Sequence, residues 1–206
     1  MPAAEAAHLR QIYANAAVIL EYGSGGSTEL AARMPDKYVM SVESDRNWAR
    51  DLRGRLRGPQ IQSPVVVHLV DVGRTGPWGR PLDDHAWRRF CAYPNDVWDQ
   101  SWFRHPDVVL IDGRFRTACF VTVLLRAERR VRILFDDYSI RPIYHEVEEF
   151  LRPARLIGRM AEFWVEPGRA DPHRIGHMVR QYFRGSIHGM TEADYQAQAA
   201  GNTRPR

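Results

Sequence analysis

Thiols are nearly missing from this chain: of 206 residues, only Cys91 and Cys119 are cysteine. They stand outside any C-x-x-C or histidine-rich spacing, which argues against zinc and fits a reducing, cytoplasmic setting. Lysine is scarcer still. Lys37 stands alone, and arginine supplies the rest of the 29 basic residues. The formal charge of +4 is therefore discounted as a sign of nucleic-acid binding. No run of five like charges occurs, and no RNA- or DNA-binding motif is present, so no nucleic-acid partner is expected. No stretch approaches ~18 apolar residues, so neither a transmembrane helix nor a membrane partner is expected. Met1 to Ala16 carries Glu5, His8 and Arg10 and lacks an apolar core of signal-peptide length. There is no internal repeat. What remains is ordinary globular composition, 44% hydrophobic and 26% charged, in a length that suits one well-packed domain. A weakly basic surface is compatible with an anionic small substrate.

The chain is organised around Ala17–Thr28. A short apolar run, Val18–Tyr22, reads as a buried strand. It breaks into Gly23-Ser24-Gly25-Gly26-Ser27-Thr28, and a helical pattern follows to Met34. Glycines let the backbone approach a ligand, and the free N–H groups of a helix's first turn attract negative charge. A strand, a Gly-rich turn and a helix start make a nucleotide-binding corner, although a plain turn gives the same letters. Glu21, two residues before Gly23, is expected at the strand's carboxyl end, pointing at the pocket, where it would repel a pyrophosphate and attract a sulfonium.

An N-terminal helix over Pro2–Asn15 precedes this corner. Further strands are predicted at 38–42, 65–70, 108–111 and 131–135, with helices at 47–56 (Trp48 and Leu52 inward) and 115–128. A helix starting near Pro142 runs through Leu151, and 155–166 reads as a strand, or a hairpin. Five strand–helix alternations predict an α/β fold: a Rossmann-like, doubly wound, mostly parallel sheet with helices on both faces, closing in an antiparallel strand. Such sheets bind ligands at the strands' carboxyl ends. Acids stand there after every strand: Glu21, Glu43, Asp71, Asp112, and Asp136-Asp137. A rim this acidic needs cations, whether sulfonium, ammonium, metal or arginine.

With these residues in place, the chain resembles the class I S-adenosylmethionine (SAM) dependent methyltransferases over 18–165. Motif I of that family, E/D-x-G-x-G, matches Glu21-Tyr22-Gly23-Ser24-Gly25. The resemblance implies cofactor contacts from these five, from Ser27 and Thr28, from Glu43 and Ser44 at the ribose, from Asp71 near the adenine amino group with Val72 beside the ring, and from Asp112. Asp112 with Asp136-Asp137 is similar to the D…D-D/N set of the macrocin- and catechol-type O-methyltransferases, which implies Mg²⁺ on those three acids. The departure is Gly113-Arg114-Phe115-Arg116, where those enzymes often have an acid and His. Arg114 or Arg116 can neutralise Asp112, or bind an anionic substrate through two hydrogen bonds. Asp112 and Arg114 are the candidate catalytic residues, with Asp112 as base or metal ligand. His145 is expected at the surface, and His68 in a structural role.

The implied function is SAM-dependent methyl transfer to a small molecule, at oxygen. Residues 1–168 form the domain. Within it, 73–106, holding four of the six tryptophans, is an insertion that serves as a substrate lid, a dimer contact or a small satellite core. Residues 169–206 form an extension, partly loose. Two alternatives stand beside this reading. An NAD-linked oxidoreductase shares Gly23-x-Gly25 and an acid, Glu43, about twenty residues on. A non-catalytic binding or assembly module would keep the fold alone.

Overall fold

In the computed structural model, which describes residues 1–168 and 170–187, the two periodicities of the sequence separate cleanly. Seven strands form one sheet: β1 Val18–Tyr22, β2 Tyr38–Glu43, β3 Val65–Leu69, β4 Val108–Ile111, β5 Val131–Phe135, β6 Arg155–Ile157 and β7 Met160–Val165. Their order is β3-β2-β1-β4-β5-β7-β6. β1 to β5 pair in parallel, and β7 pairs antiparallel to both β5 and β6. The expected hairpin is therefore present, turning at Gly158 with φ 55°.

Alternation along β1 assigns each residue a face. Ile19 packs with Leu9, Ile12 and Tyr13 of helix α1 (Ala3–Asn15). Leu20 and Tyr22 enter the larger core on the other face, with Cys119, Phe120 and Val123 of helix α6 (Arg116–Arg126). Between these helices lie α2 (Gly26–Ala32), α3 (Arg46–Arg55) and two single turns of the insertion, α4 (Trp87–Phe90) and α5 (Ala92–Asn95). The segment after β5 is 3₁₀ rather than α over Pro142–Glu149. α7 (Ile175–Ile187) gives the extension after residue 168 a regular helix. It docks on α6, where the Thr122 and Tyr182 hydroxyls lie 2.8 Å apart and Met178 is buried. The polar segment 191–206, expected to be loose, lies outside the described residues.

The insertion divides into unlike halves. Phe90, Tyr93, Val97 and Trp98 belong to the main core. Trp78 and Leu82 stand out in solvent, 85% and 55% exposed. No helix among the described residues is long and apolar enough to cross a membrane. Cys91 and Cys119 are both free thiols.

Candidate functional site

The chain runs outward from β1 to β3, then returns to lay β4 on the other side of β1. That reversal opens a crevice at the carboxyl ends of β1 and β4, the usual ligand position in such sheets. Gly23 and Gly113 face each other there. Gly23 has φ 100°, and a Cβ on it would lie 2.6 Å from the Gly113 Cα, so neither position admits a side chain without displacement. Farther along the loop the surface is open: a Cβ on Gly26 would meet nothing within 4 Å, and one on Gly25 would meet only the Trp48 ring at 3.9 Å. The Trp48 indole donates to the Ser24 carbonyl at 2.9 Å and is 43% exposed. It stands over the glycine loop instead of pointing inward as expected, because it lies in α3's first turn, where that turn meets the loop.

Glu21 corrects a second expectation. Two residues after Ile19, it shares that residue's face and lies beneath α1 and α2, fully buried, rather than pointing at the pocket. Its carboxylate accepts the Tyr13 hydroxyl at 2.7 Å and the Thr28 hydroxyl. Thr28 in turn accepts the Gly25 N–H at 2.9 Å, which ties the acid to the start of α2. Burial raises the Glu21 carboxyl above the ordinary range, with Thr28 and Tyr13 opposing the rise. Glu21 and Thr28 therefore hold the loop from below. Tyr22 and Val72, both expected at the cofactor, are core residues. The Tyr22 hydroxyl donates to the Pro94 carbonyl at 2.6 Å and accepts the Trp98 indole N–H at 2.7 Å.

Glu43, last residue of β2, does reach the crevice. One carboxylate oxygen accepts the Ser24 hydroxyl at 2.6 Å, and the other accepts the Ser44 and Asp45 N–H groups at 2.7 and 2.9 Å. The turn Pro77–Gly79 lies against it: the Ser44 hydroxyl donates to the Gly79 carbonyl at 2.8 Å, and a Cβ on Gly79 would lie 3.1 Å from Glu43 Oε1. Asp71 is exposed, accepts the Gly73 N–H at 2.9 Å and pairs with Arg89 of the insertion.

On the β4–β5 side, Asp112, Asp136 and Asp137 bring one carboxylate oxygen each within 4.8 Å of the others. Arginines already fill this cluster. Arg116, almost fully buried, reaches Asp112 at 3.0 Å and Asp137 at 3.2 Å, and donates to the Asp136 carbonyl at 2.7 Å. Arg159 grips Asp136 with two hydrogen bonds of 3.1 and 3.0 Å, and reaches Asp137 at 3.1 Å. Arg141 lies 3.3 Å from Asp137. Three carboxylates meet three guanidiniums, so a divalent ion would add two uncompensated charges and have to displace buried donors. The set does not fit Mg²⁺. Burial raises the Asp112 carboxyl above the ordinary range; Arg116 opposes the rise, and Asp136 and Asp137 add to it.

His145 is a surface residue whose ring lies 3.0 Å from the Tyr138 carbonyl. His68 braces the insertion, 2.7 Å from Asp96 and edge-on to Trp102. Four site residues were missed in the sequence: Tyr13, Tyr93, Arg141 and Arg159. The sheet brings them in from distant segments, and no local pattern marks them.

A sheet reversed between β1 and β4, with a glycine loop and an acid after β2 at the reversal, defines a nucleotide-cofactor α/β protein. The antiparallel β7 between β5 and β6 separates it from the dehydrogenase order 3-2-1-4-5-6. Among solved structures, a methyltransferase-like protein from Silicibacter pomeroyi DSS-3 is 49% identical, with a TM-score of 0.84 over 88% of this chain and 95% of that one. The chain belongs to this methyltransferase-like family. A cofactor-bound protein from MTB and a Bacillus cereus O-methyltransferase in complex with SAH are 18% and 14% identical over 92% of this chain and 71% and 72% of theirs, each with a TM-score of 0.47. No protein-family model matches the chain, and neither does any curated protein.

Proposed function

We propose that this protein transfers a methyl group from SAM to an oxygen of a small molecule, without a divalent ion. The carrying observation is Glu43: a carboxylate at the end of β2, beside the open Gly25–Gly26 surface, whose Ser24 partner is a replaceable hydroxyl. Two accepting oxygens suit a vicinal diol such as a ribose. Ser24, Gly25, Ser27 and Ser44 complete the cofactor's bed, and Asp71 its outer edge. When bound, SAM supplies a methyl on an already activated sulfonium. The protein's share is alignment, together with a base for the acceptor hydroxyl.

Asp112 is that base. Its side chain is 37% exposed at the crevice, while Arg116 holds one of its oxygens. Because burial raises its carboxyl, activity falls on acidification at a higher pH than an ordinary carboxylate would give, since the base must be unprotonated. The turn Pro77–Gly79 serves as a lid, covering Glu43 and Ser44 until the cofactor arrives. Two free thiols suit the cytoplasm.

Calorimetry with S-adenosylhomocysteine (SAH) tests this reading, with and without Mg²⁺ and with NAD⁺ as control. Micromolar SAH binding, indifferent to Mg²⁺ and lost in Glu43→Ala, is expected. Binding of NAD⁺ in place of SAH would overturn the cofactor; Mg²⁺-dependent binding would overturn the metal-free site.

A further inference from the structure

Arg114 has a different fate from the other arginines of the rim. Arg116, Arg141 and Arg159 are matched against Asp112, Asp136 and Asp137. Arg114 sits next to them at the end of β4 and makes no side-chain hydrogen bond or ion pair among the described residues. Its Nε is buried and unsatisfied. The backbone holds it in place: its N–H points at the Tyr93 hydroxyl at 3.4 Å, its carbonyl accepts the Cys119 thiol, and the next residue, Phe115, has the left-handed φ of 51°. A guanidinium stays charged in a protein, and a buried donor left unmade is costly. Burial and the neighbouring Arg116 both push its pKa down, while Tyr144 and Tyr93 favour the charge. The surroundings thus give this cation no partner, in a crevice where a ligand is expected.

We infer that Arg114 is the receptor for an oxyanion, a carboxylate or a phosphate, carried by the methyl acceptor. The planar fork of an arginine matches either group with two parallel hydrogen bonds. The word acceptor rests on the methyltransferase reading; the anion site does not. It lies on the Asp112 side of the crevice, so an acceptor gripped there by its anionic end would present a hydroxyl to Asp112. The one competing source of the same chemistry is the α-carboxylate of the cofactor itself.

The test uses inorganic phosphate and benzoate as probes on the whole protein. Each is titrated while the Arg114 Nε–Hε NMR signal of wild type, identified by its loss in Arg114→Gln, and the backbone amide signals of residues 113–116 in wild type and both variants are followed. Saturable millimolar binding is expected, at least tenfold weaker in Arg114→Gln and partly kept in Arg114→Lys, with SAH affinity unchanged within twofold in both variants. Thermal melting adds a second readout: Arg114→Gln should melt higher than wild type in anion-free buffer, and phosphate should raise the wild-type midpoint only. No saturable shift in wild type, or equal phosphate affinity in Arg114→Gln, overturns the site. A tenfold loss of SAH affinity in Arg114→Gln gives Arg114 to the cofactor and overturns the acceptor assignment. Failure of SAH to bind wild type at all, with phosphate binding intact, defeats the methyltransferase reading and leaves the anion site standing.

Discussion

The two sides of the crevice solve the same problem in opposite ways. Under and beside β1 and β2, the acids Glu21 and Glu43 are satisfied by neutral donors: hydroxyls of Tyr13, Thr28 and Ser24, and two backbone N–H groups. After β4 and β5, the acids Asp112, Asp136 and Asp137 are satisfied by guanidiniums. Neutral donors leave a carboxylate its negative charge, and a hydroxyl yields easily to another hydroxyl. Guanidiniums cancel the charge and lock the geometry. One side offers Glu43 for exchange with a diol; the other fixes Asp136 and Asp137 and holds Asp112 by one oxygen.

The largest effect should follow from breaking the locked side. Arg116→Ala removes the cation shared by Asp112 and Asp137, and the donor to three carbonyls of the β4 and β5 ends, those of Asp112, Gly113 and Asp136. Stranding buried carboxylates costs about 3–5 kcal/mol, read as a lower urea midpoint. A loss below about 1 kcal/mol would mean that the ions hold little. Glu21→Ala comes next, at roughly 2–4 kcal/mol, since it opens a cavity and orphans two buried hydroxyls. Glu21→Gln keeps the shape and should be mild, and its pH dependence carries a sign. Folding raises the Glu21 pKa above its ordinary 4.5. Wild type therefore gains stability from holding that proton at low pH and loses the gain as pH rises through the folded-state pKa. Gln has no proton to lose, so melting midpoints of Glu21→Gln should climb relative to wild type over that window. A Glu21→Gln midpoint that instead falls relative to wild type as pH rises would show that Glu21 is charged and stabilised by its partners.

Glu43→Ala sharpens the contrast from the exchangeable side. Its partners are a hydroxyl and amides that water can serve, so stability should fall by no more than about 1 kcal/mol. SAH affinity should fall about 100-fold, as two hydrogen bonds to a carboxylate disappear. Equal SAH affinity in calorimetry would remove Glu43 from the cofactor site.

Much of this was legible from residue order, and the reason is physical. Apolar runs of β-branched residues broken by Gly and Asp declare a buried parallel strand and its carboxyl end, so the sheet and the acidic rim could be read from the five such runs taken together. Strand material was legible over 155–166, where a single strand and a hairpin were both open. The fate of each acid was not legible, because it depends on which face a residue occupies and on what a distant segment brings. Glu21 and Glu43 look alike in sequence, yet the β1 pleat turns Glu21 beneath α1, where Tyr13 meets it. Asp136-Asp137 reads as a metal pair until Arg159 arrives from the β6–β7 turn. Arg116 and Arg114 are two residues apart, and only the left-handed Phe115 between them sends one into the acids and leaves the other without a partner.

The smallest predicted effect concerns the lid, and it tests whether the exchangeable side is closed at rest. Gly79 has φ 67°, and Trp78 beside it has φ 62°, so two adjacent residues hold the left-handed conformation that side chains disfavour. Trp78 accepts that cost while standing 85% exposed. Gly79 is pressed so close that an added Cβ would lie 2.5 Å from the Ser44 hydroxyl. Gly79→Ala therefore strains the closed turn twice, by conformation and by contact, while replacing none of the proposed cofactor residues. If the turn covers Glu43 at rest, SAH should bind the variant about three- to tenfold more tightly, matching a closed-state penalty of about 1 kcal/mol. Trp78 fluorescence should also shift less on binding, because the turn is already displaced. Weaker binding in Gly79→Ala would mean that the turn clasps the cofactor and does not cover its site.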